Sequence, residues 1–537
     1  MATQAPSRTS GAVTGRGHAA RRVAVTVLAV AVLFVLYWRQ SRLAPVISDG
    51  ASIALQARDM LHGNLLLHGW RLSDVSFYAT ELPQYMAIEA VLGLGPWVVN
   101  VAAAMTYTLL VLLAGFLAMG RGRGREGLTR ALLASGIILA PQLGATSTLL
   151  TSPDHTGTAV PVLLAWLMID RGRPQAGGRP QAGGRRWWVV PAAVCAVLTL
   201  ATLGDPLVLV FGIAPLAAGC ILRLARNVAA PRWYEAWLAG AAVAAGGLGA
   251  AAPRVIALLG GYQAAQYDSR LAGLGHLGHA AWVTVQQVLE LFGANVITAR
   301  PGIDFAFTVL RLTGVIMVVA AFMLAAARLL GPGDLLVPVL VLGIAFSLAV
   351  YLVSAYGQSL GTIREIAAVM PLGAALAGRV LAGPLLSLRG RPLRPVLAVA
   401  GAGYALALIY GATQGPASPA NEPLATWLSG HGLRDGLAAY WQANSTTLDS
   451  GGQVLVSFAG TNGGRLAAAS WETRQQDYDP RQHDATFVVA GGPKGMPGMQ
   501  AAAEATFGPP LRVYHADGYT ILVWGTNLLR RLGPVRS

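Results

Sequence analysis

The segment VVNVAAAMTYTLLVLLAGFLAM, residues 98–119, is followed at once by the basic run GRGRGRE, residues 120–126. A bilayer is crossed by about 20 predominantly apolar residues in a helix. Arginine and lysine are enriched in the cytoplasmic loops of membrane proteins. This stretch therefore predicts a membrane-spanning helix that ends at a cytoplasmic loop.

The rest of the chain repeats that pattern. The 537 residues are 54% hydrophobic and 12% charged, whereas a soluble globular protein has roughly 25% charged residues. The net charge of +15 comes largely from arginines in short clusters between apolar segments, which is typical of membrane topology. We therefore expect no nucleic-acid partner. Cys195 and Cys220 lie in apolar segments, so we expect neither a disulfide nor a thiolate metal site.

The order of apolar segments predicts about eleven transmembrane helices. The basic tail, residues 1–22, places the N-terminus in the cytoplasm, and the spans fill residues 23–413 with long outer loops at 39–97 and 253–304. The predicted spans are 23–38, 98–119, 131–150, 157–169, 187–203, 207–222, 236–252, 305–327, 335–353, 366–385 and 396–409. Although charge places only the N-terminus, every later inner loop is arginine-rich except 328–334.

The composition changes near residue 414, and residues 414–537 predict a small α/β domain on the extracytoplasmic side. Buried strands are predicted at 454–460 and 485–491, and a hairpin at 511–525 turns at Asp517-Gly518. Helices are predicted at 424–427, 434–443 and 497–505. Because this region has no Gly-rich phosphate loop and no catalytic or metal-binding spacing, we interpret it as a lid or acceptor-docking module rather than an independent enzyme.

Ionisable residues next to membrane spans are costly and mark functional sites by default. In this chain they are concentrated in the predicted outer loops. The catalytic candidates are Asp49, Asp154 and His155. The substrate-binding candidates are Arg58, Glu81, Tyr267, Asp268, Arg364 and Glu365. A carboxylate whose pKa is raised by burial can act as a general base, and arginine can bind phosphate through two hydrogen bonds. The set suits group transfer from a phosphate-activated lipid.

The acidic candidates also have structural interpretations. Asp49 could cap the helix that starts near Ala51, and Asp154 could cap the helix that enters at Gly157. Asp205, which precedes a proline, could likewise be a cap.

The remaining candidates leave two alternatives open. Arg364 and Glu365 could pair with each other, although an arginine at the entrance to a span also suits a lipid phosphate. His276 and His279 could bind a metal ion, but no third ligand lies near them in the sequence.

The segment SDGASIALQARDMLHGNLLLHGW, residues 48–70, resembles the start of the C-type (GT-C) glycosyltransferases. Those are polytopic membrane enzymes that use polyprenyl-phosphate sugars. Their catalytic acid lies early in the first outer loop, where it matches Asp49, and a second acidic site in the next outer loop matches Asp154-His155. A soluble outer domain after eleven to thirteen spans is also similar to that family.

The resemblance implies an inverting glycosyltransferase that moves a sugar from a polyprenyl-phosphate donor to an extracytoplasmic glycan, lipid or protein. Asp49 would take the proton of the acceptor hydroxyl. Asp154 and His155 would orient the acceptor or hold a divalent metal ion, and Arg364 would stabilise the departing lipid phosphate. The implied partners are the polyprenyl-phosphate-linked sugar and membrane lipid, and the cofactor is otherwise unknown.

Two other classes of function remain open at the level of sequence. A transporter or flippase for a lipid-linked or anionic substrate predicts charged or broken helices near the middle of the membrane and an internal repeat. A non-catalytic envelope-assembly protein predicts that the outer carboxylates do not converge. An enzyme predicts that Asp49, Asp154 and Arg364 line one cavity.

Overall fold

The computed structural model describes residues 11–152, 155–174, 188–229, 231–266, 270–299, 301–329, 331, 333–387, 393–419 and 421–533. The helices of the first part are α1 Gly11–Ser41, α2 Ser48–Leu61, α3 Leu82–Leu92, α4 Pro96–Met119, α5 Gly124–Ile137, α6 Thr146–Leu149, α7 His155–Gly172, α8 Val189–Gly204, α9 Ala214–Ala225, α10 Arg232–Leu258, α11 Leu277–Leu291, α12 Ile303–Ala326, α13 Leu336–Val353, α14 Val369–Ser387 and α15 Leu393–Thr413. The later helices are α16 Glu422–Gly430, α17 Tyr440–Asp449 and α18 Met499–Phe507.

The strands complete the fold. They are β1 Trp70–Leu72, β2 Gln263–Ala264, β3 Asp435–Ala438, β4 Leu455–Asn462, β5 Arg465–Ala468, β6 Thr473–Arg474, β7 Ala485–Val489, β8 Arg512–Ala516 and β9 Tyr519–Val523. The molecule is therefore a polytopic helical assembly followed by a smaller region that contains a sheet.

Each predicted span overlaps a helix. Among the described residues, seven helices are long and apolar enough to cross a membrane, namely α1 from Val23, α4, α10, α12, α13, α14 and α15 from Pro395. Shorter apolar helices occupy Val189–Gly204 and Leu209–Ala225, and the latter begins with a π-helical turn. The total of about eleven spans stays a prediction.

The prediction of one continuous span over 131–150 is wrong. Helix α5 ends at Ile137, and α6 begins only at Thr146, because Pro141 has no N–H to continue a helix. The backbone carbonyls at the break, which have no partner within a helix, accept hydrogen bonds from side chains of neighbouring helices. Non-helical backbone at membrane depth requires such partners. The bonds are Tyr107 Oη to Ile138 O at 2.8 Å, Tyr37 Oη to Leu139 O at 2.7 Å, Arg311 Nε to Ala140 O at 2.9 Å and Gln40 Nε2 to Pro141 O at 3.0 Å.

Buried ion pairs join the helices at the end opposite to His155. The guanidinium of Arg379 on α14 lies 3.0 Å from Asp170 Oδ1 on α7 and also contacts Asp334, just before α13. Arg223 on α9 lies 2.9 Å from Glu235 Oε2 on α10. Some arginines at this end of the bundle thus form ion pairs with neighbouring helices. They do so in addition to any contribution to the orientation of the chain in the membrane.

The C-terminal region folds around a six-stranded sheet of order β5-β4-β3-β7-β9-β8. The strands predicted at 454–460 and 485–491 and the hairpin at 511–525 are confirmed, as are the helices that became α16 and α18. The helix predicted over 434–443 is confirmed for its second half, which lies in α17, and is wrong for its first half. Its first half is β3, which pairs in parallel with β4 and β7, because Gly436 lets the Phe487 ring pack directly on the strand.

A second, three-stranded sheet joins this region to the first long loop. Its order is β2-β1-β6, so that β1 pairs with β6 of the C-terminal region and with β2, which follows α10. The register places Trp70 opposite Arg474 and Arg71 opposite Gln263. This sheet, together with the packing of α17 on α2, seats the C-terminal region against the first loop.

Candidate active site

A cavity of about 200 Å³, here called the Asp49 cavity, lies between the helix ends and the C-terminal region. Its lining comes from the first long loop, the start of α7, the segment before α14 and the C-terminal region. The lining residues are Asp49, Ser52, Ile53, Ser73, Asp74, Val75, Phe77, His155, Gly361, Thr362, Arg364, Glu365, Tyr440, Trp471 and Glu472.

Asp49 lies in the first turn of α2, where a carboxylate favours the helix dipole. It is not the N-cap, because that position is Ile47 and no side-chain cap bond is formed there. Instead, Asp49 Oδ1 accepts a hydrogen bond from the hydroxyl of Tyr440, and Oδ2 lies 3.5 Å from Arg364 Nη1. The capping interpretation of Asp49 therefore does not describe its contacts, which point into the cavity.

Arg364 lies in the 3₁₀ segment Leu360–Ile366, which runs into α14. Its Nη2 donates to the backbone carbonyl of Ser147 at 3.1 Å. The guanidinium thus spans from Ser147 to Asp49. Its side chain is 28% exposed, so an anion that enters the cavity can reach it.

His155 is the first residue of α7 and lies between two carboxylates. Its Nδ1 is 2.6 Å from Asp205 Oδ2 and its Nε2 is 3.5 Å from Glu365 Oε1. An imidazolium with a proton on each nitrogen would satisfy both contacts. Asp205 is fully buried and also accepts a bond from Leu207 N at 2.8 Å, so it is a cap, as its position before Pro206 suggested, and in addition orients His155.

Asp74 lines the same cavity on the loop that follows β1. Burial raises the pKa of its carboxyl above the ordinary value, and the negative charge of Glu365 raises it further. Its position in the first loop was visible in the sequence, but nothing local distinguished it from the other acids of that loop.

The C-terminal region supplies Tyr440, Trp471 and Glu472 to the cavity, and none of them was predicted from the sequence. Glu472 is 4% exposed. It accepts hydrogen bonds from Gln56 Nε2 at 2.8 Å and from Ser73 N at 2.7 Å, and burial raises the pKa of its carboxyl. The region therefore closes one wall of the cavity, which agrees with the interpretation of it as a lid.

The other predicted site residues do not join this cavity. Arg58 lines a separate and larger cavity, because it lies on a different face of α2. Glu81 is buried behind α7, where its carboxylate lies against the backbone of Gly157. Asp154, Tyr267 and Asp268 lie outside the described residues. Within the described part of the chain, no group of three His, Cys, Asp or Glu side chains is placed to hold a metal ion.

No protein-family model matches this chain, and the search of curated proteins finds no match. Solved structures do match. The apo crystal structure of ArnT from Cupriavidus metallidurans has a TM-score of 0.60 and 14% identity over 96% of this chain and 100% of that one. The same protein bound to undecaprenyl phosphate has a TM-score of 0.56 and 14% identity over 95% and 99%.

A weaker match is the oligosaccharyltransferase of Archaeoglobus fulgidus, with a TM-score of 0.48 and 13% identity over 86% of this chain and 69% of that one. The similarity to ArnT shows the fold. This chain shares the fold of ArnT, a polytopic helical part followed by a small sheet-containing C-terminal region, and the predicted fold class is confirmed.

Proposed function

We propose that this chain is a membrane glycosyltransferase that moves a sugar from a polyprenyl-phosphate donor to an acceptor hydroxyl. The observation that carries the proposal is that Asp49 and Arg364, which come from distant parts of the chain, meet in the Asp49 cavity. A carboxylate beside an arginine supplies a base and an anion-binding group at one place. The structure of ArnT bound to undecaprenyl phosphate supports a lipid phosphate as the leaving group.

In the proposed reaction Asp49 takes the proton of the acceptor hydroxyl. The hydroxyl oxygen forms a bond to the anomeric carbon while the bond from that carbon to the phosphate oxygen breaks, with inversion. Arg364 stabilises the negative charge that develops on the phosphate. Because Arg364 contacts Asp49, the incoming phosphate would draw the guanidinium away and leave the carboxylate free to accept a proton.

His155 and Glu365 would position the acceptor, with Asp205 holding the imidazole in place. Asp154, next to His155 in the sequence, keeps its proposed role of orienting the acceptor or holding a divalent metal ion, and Tyr267 and Asp268 keep theirs in substrate binding. Glu81 would act from behind α7 by fixing its start. The proposed reaction is written with the side chains of the cavity, and no step is routed through a metal ion.

The proposed orientation has the N-terminus in the cytoplasm and the C-terminal region, residues 414–537, outside. It is supported by the arginine clusters of the predicted inner loops. The same orientation puts the Asp49 cavity at the extracytoplasmic face, where lipid-linked sugars would be used.

The break between α5 and α6, with the buried Arg311 beside it, is a feature that the transport alternative predicts, so the contacts of this arginine bear on that alternative. Arg311 on α12 is 3% exposed, but its Nε and Nη2 donate to the carbonyls of Ala140 and Pro141. These two hydrogen bonds give Arg311 a structural role at the helix break.

The proposal is tested with the full chain in lipid nanodiscs and a panel of polyprenyl-phosphate sugars, by measuring which donor is consumed. Asp49→Asn should lower transfer by about 10²–10⁴-fold, which is the usual contribution of a general base. Asp517→Asn, on the exposed hairpin turn, is the matched control and should transfer normally. Full activity of Asp49→Asn at equal expression would show that Asp49 is not the base.

A further inference from the structure

The second cavity, here called the Arg58 cavity, lies where the end of α2 and β1 meet the C-terminal region. Its volume is about 660 Å³, within the range of roughly 300–1,000 Å³ that small-molecule sites occupy. Arg58 and Asp59 line its α2 side, and Arg474 and Asp477 line the side formed by the C-terminal region. Two guanidiniums thus balance two carboxylates, and the lining offers a ligand many polar groups without an excess of either charge.

Asp59 is held in place on three sides. Its Oδ2 accepts hydrogen bonds from Asn64 Nδ2 at 2.6 Å and from Trp70 Nε1 at 2.9 Å, and its Oδ1 lies 3.3 Å from Arg474 Nη2. Arg474 belongs to the C-terminal region, so this network fixes the two halves of the cavity relative to each other. A ligand would therefore meet a preformed surface, which lowers the entropy cost of binding.

Two histidines add fixed acceptors to the lining. His62 Nδ1 lies 2.6 Å from the Arg58 carbonyl, and His68 Nδ1 lies 2.6 Å from the Gly260 carbonyl. Because a carbonyl only accepts, each Nδ1 carries the proton, and in the neutral ring Nε2 is then an acceptor. Both rings are exposed, and the amide of Gln476 is exposed beside them.

We propose that the Arg58 cavity binds a neutral saccharide. Each sugar hydroxyl both donates and accepts a hydrogen bond, and this lining presents guanidinium and amide donors next to carboxylate and imidazole acceptors. A phosphate or carboxylate ligand would instead favour an excess of positive charge, and an apolar ligand would find a polar wall.

The saccharide is assigned as part of the acceptor, and that assignment rests on the proposed function. Strands β1 and β6 run from one cavity to the other. Trp70 and Arg474 line the Arg58 cavity, whereas Ser73 and Glu472 line the Asp49 cavity. Three residues of strand cover about 10 Å, so a short glycan acceptor whose inner sugars occupy the Arg58 cavity would place its terminal sugar in the Asp49 cavity.

The test measures direct binding of neutral trisaccharides to the full chain in nanodiscs. Maltotriose, mannotriose and arabinotriose are the probes, and inorganic phosphate and glucose 6-phosphate are the anionic ligands used for comparison. We expect saturable binding of at least one trisaccharide. His68→Ala and Gln476→Ala change exposed side chains, so both should fold, and each should weaken that binding at least tenfold. Asp517→Asn should leave it unchanged.

The outcomes separate this proposal from the proposed function. Asp49→Asn should bind the trisaccharide as tightly as the unaltered chain, even though it loses transfer. The saccharide site would be overturned if the chain bound only the anionic ligands or none of the trisaccharides. It would also be overturned if both alanine variants bound the trisaccharides as tightly as the unaltered chain. Loss of transfer by Asp49→Asn would stand in each of those cases.

Discussion

At the scale of single residues, Gly50 determines how closely α2 approaches the segment before α7. A Cβ at this position would lie 2.5 Å from the Ser152 carbonyl oxygen and 2.9 Å from Val99 Cγ1. Such overpacking typically costs about 1–3 kcal/mol. Because Asp49 is the neighbouring residue, a helix that moves to relieve the clash also moves the proposed base.

Gly50→Ala should therefore lower both the melting temperature and transfer, since a displacement of about 1 Å at a reacting centre can cost 100-fold. Gly240→Ala is the matched control, because Gly240 lies on α10 with nothing within 4 Å of its added Cβ. Thermal unfolding in detergent measures the first effect and donor consumption the second. Equal melting temperatures for the two variants would mean that α2 accommodates the methyl group.

Asp449 at the end of α17 gives the molecule a pH-dependent contact. Burial raises the pKa of its carboxyl from 3.8 to about 7, against the lowering effect of the hydrogen bond from Asn421 N. Between the unfolded pKa of 3.8 and the folded pKa of about 7, the folded chain therefore holds a proton on Asp449 that the unfolded chain has released. The contribution to stability is complete below the unfolded pKa and is lost as pH rises through the folded one.

Asp449→Asn cannot ionise, and its amide oxygen can still accept from Asn421 N. We expect its melting temperature to fall less than that of the unaltered chain between about pH 5 and about pH 8. Asp517→Asn, which changes an exposed carboxyl, should keep the original pH dependence. Identical pH profiles for all three chains would contradict a buried proton at Asp449.

At the scale of elements, hydropathy placed the helices well but could not show how each one ends. The stretch 131–150 is hydrophobic enough on average to be predicted as one span, and Pro141 was the local signal of its interruption that the hydropathy pattern overrode. The break is stable only because side chains from α1, α4 and α12 reach its carbonyls. Those partners are remote in sequence. The first half of the helix predicted at 434–443 was wrong for a related reason, because burial between two strands, not local propensity, decides the conformation of β3.

Arg311→Leu tests whether the side-chain donors stabilise the break between α5 and α6. It removes the donors to the carbonyls of Ala140 and Pro141, and a buried acceptor without a donor costs about 1–3 kcal/mol. Arg311→Lys keeps a donor and should be intermediate. Arg254→Leu on the exposed side of α10 should change stability by less than about 0.5 kcal/mol. Unfolding by sodium dodecyl sulfate in mixed micelles measures all three, and equal stability of the Arg311 and Arg254 variants would contradict this role.

At the scale of the whole molecule, one wall of the Asp49 cavity could be predicted from the sequence and the other could not. Asp49 and Arg364 stood out because charges beside apolar spans are costly. Tyr440 and Glu472 did not, because polar residues in a water-exposed region carry no such signal. Only the docking of the C-terminal region brings them to α2, and that docking depends on contacts between residues hundreds of positions apart.

Glu472 is the residue on which this docking can be tested. Its carboxylate joins Gln56 on α2 to the backbone of Ser73 in the first loop. Glu472→Ala leaves both donors unsatisfied, so the C-terminal region should loosen from the helices. Transfer should then fall at least tenfold, because the Asp49 cavity loses a wall, and hydrogen exchange should rise in β1 and β6. The six-stranded sheet, whose core lies elsewhere, should keep its protection.

Glu472→Gln separates position from charge. An amide keeps an acceptor for the Ser73 N–H and resembles the protonated carboxyl that burial favours, so it should retain most of the docking and part of the transfer. Glu504→Ala, on the exposed face of α18, is the control for truncation of a glutamate. If Glu472→Ala transferred sugar at the normal rate with unchanged exchange in β1, the C-terminal region would not form part of the reacting cavity, and catalysis would rest on the residues of the helical part alone.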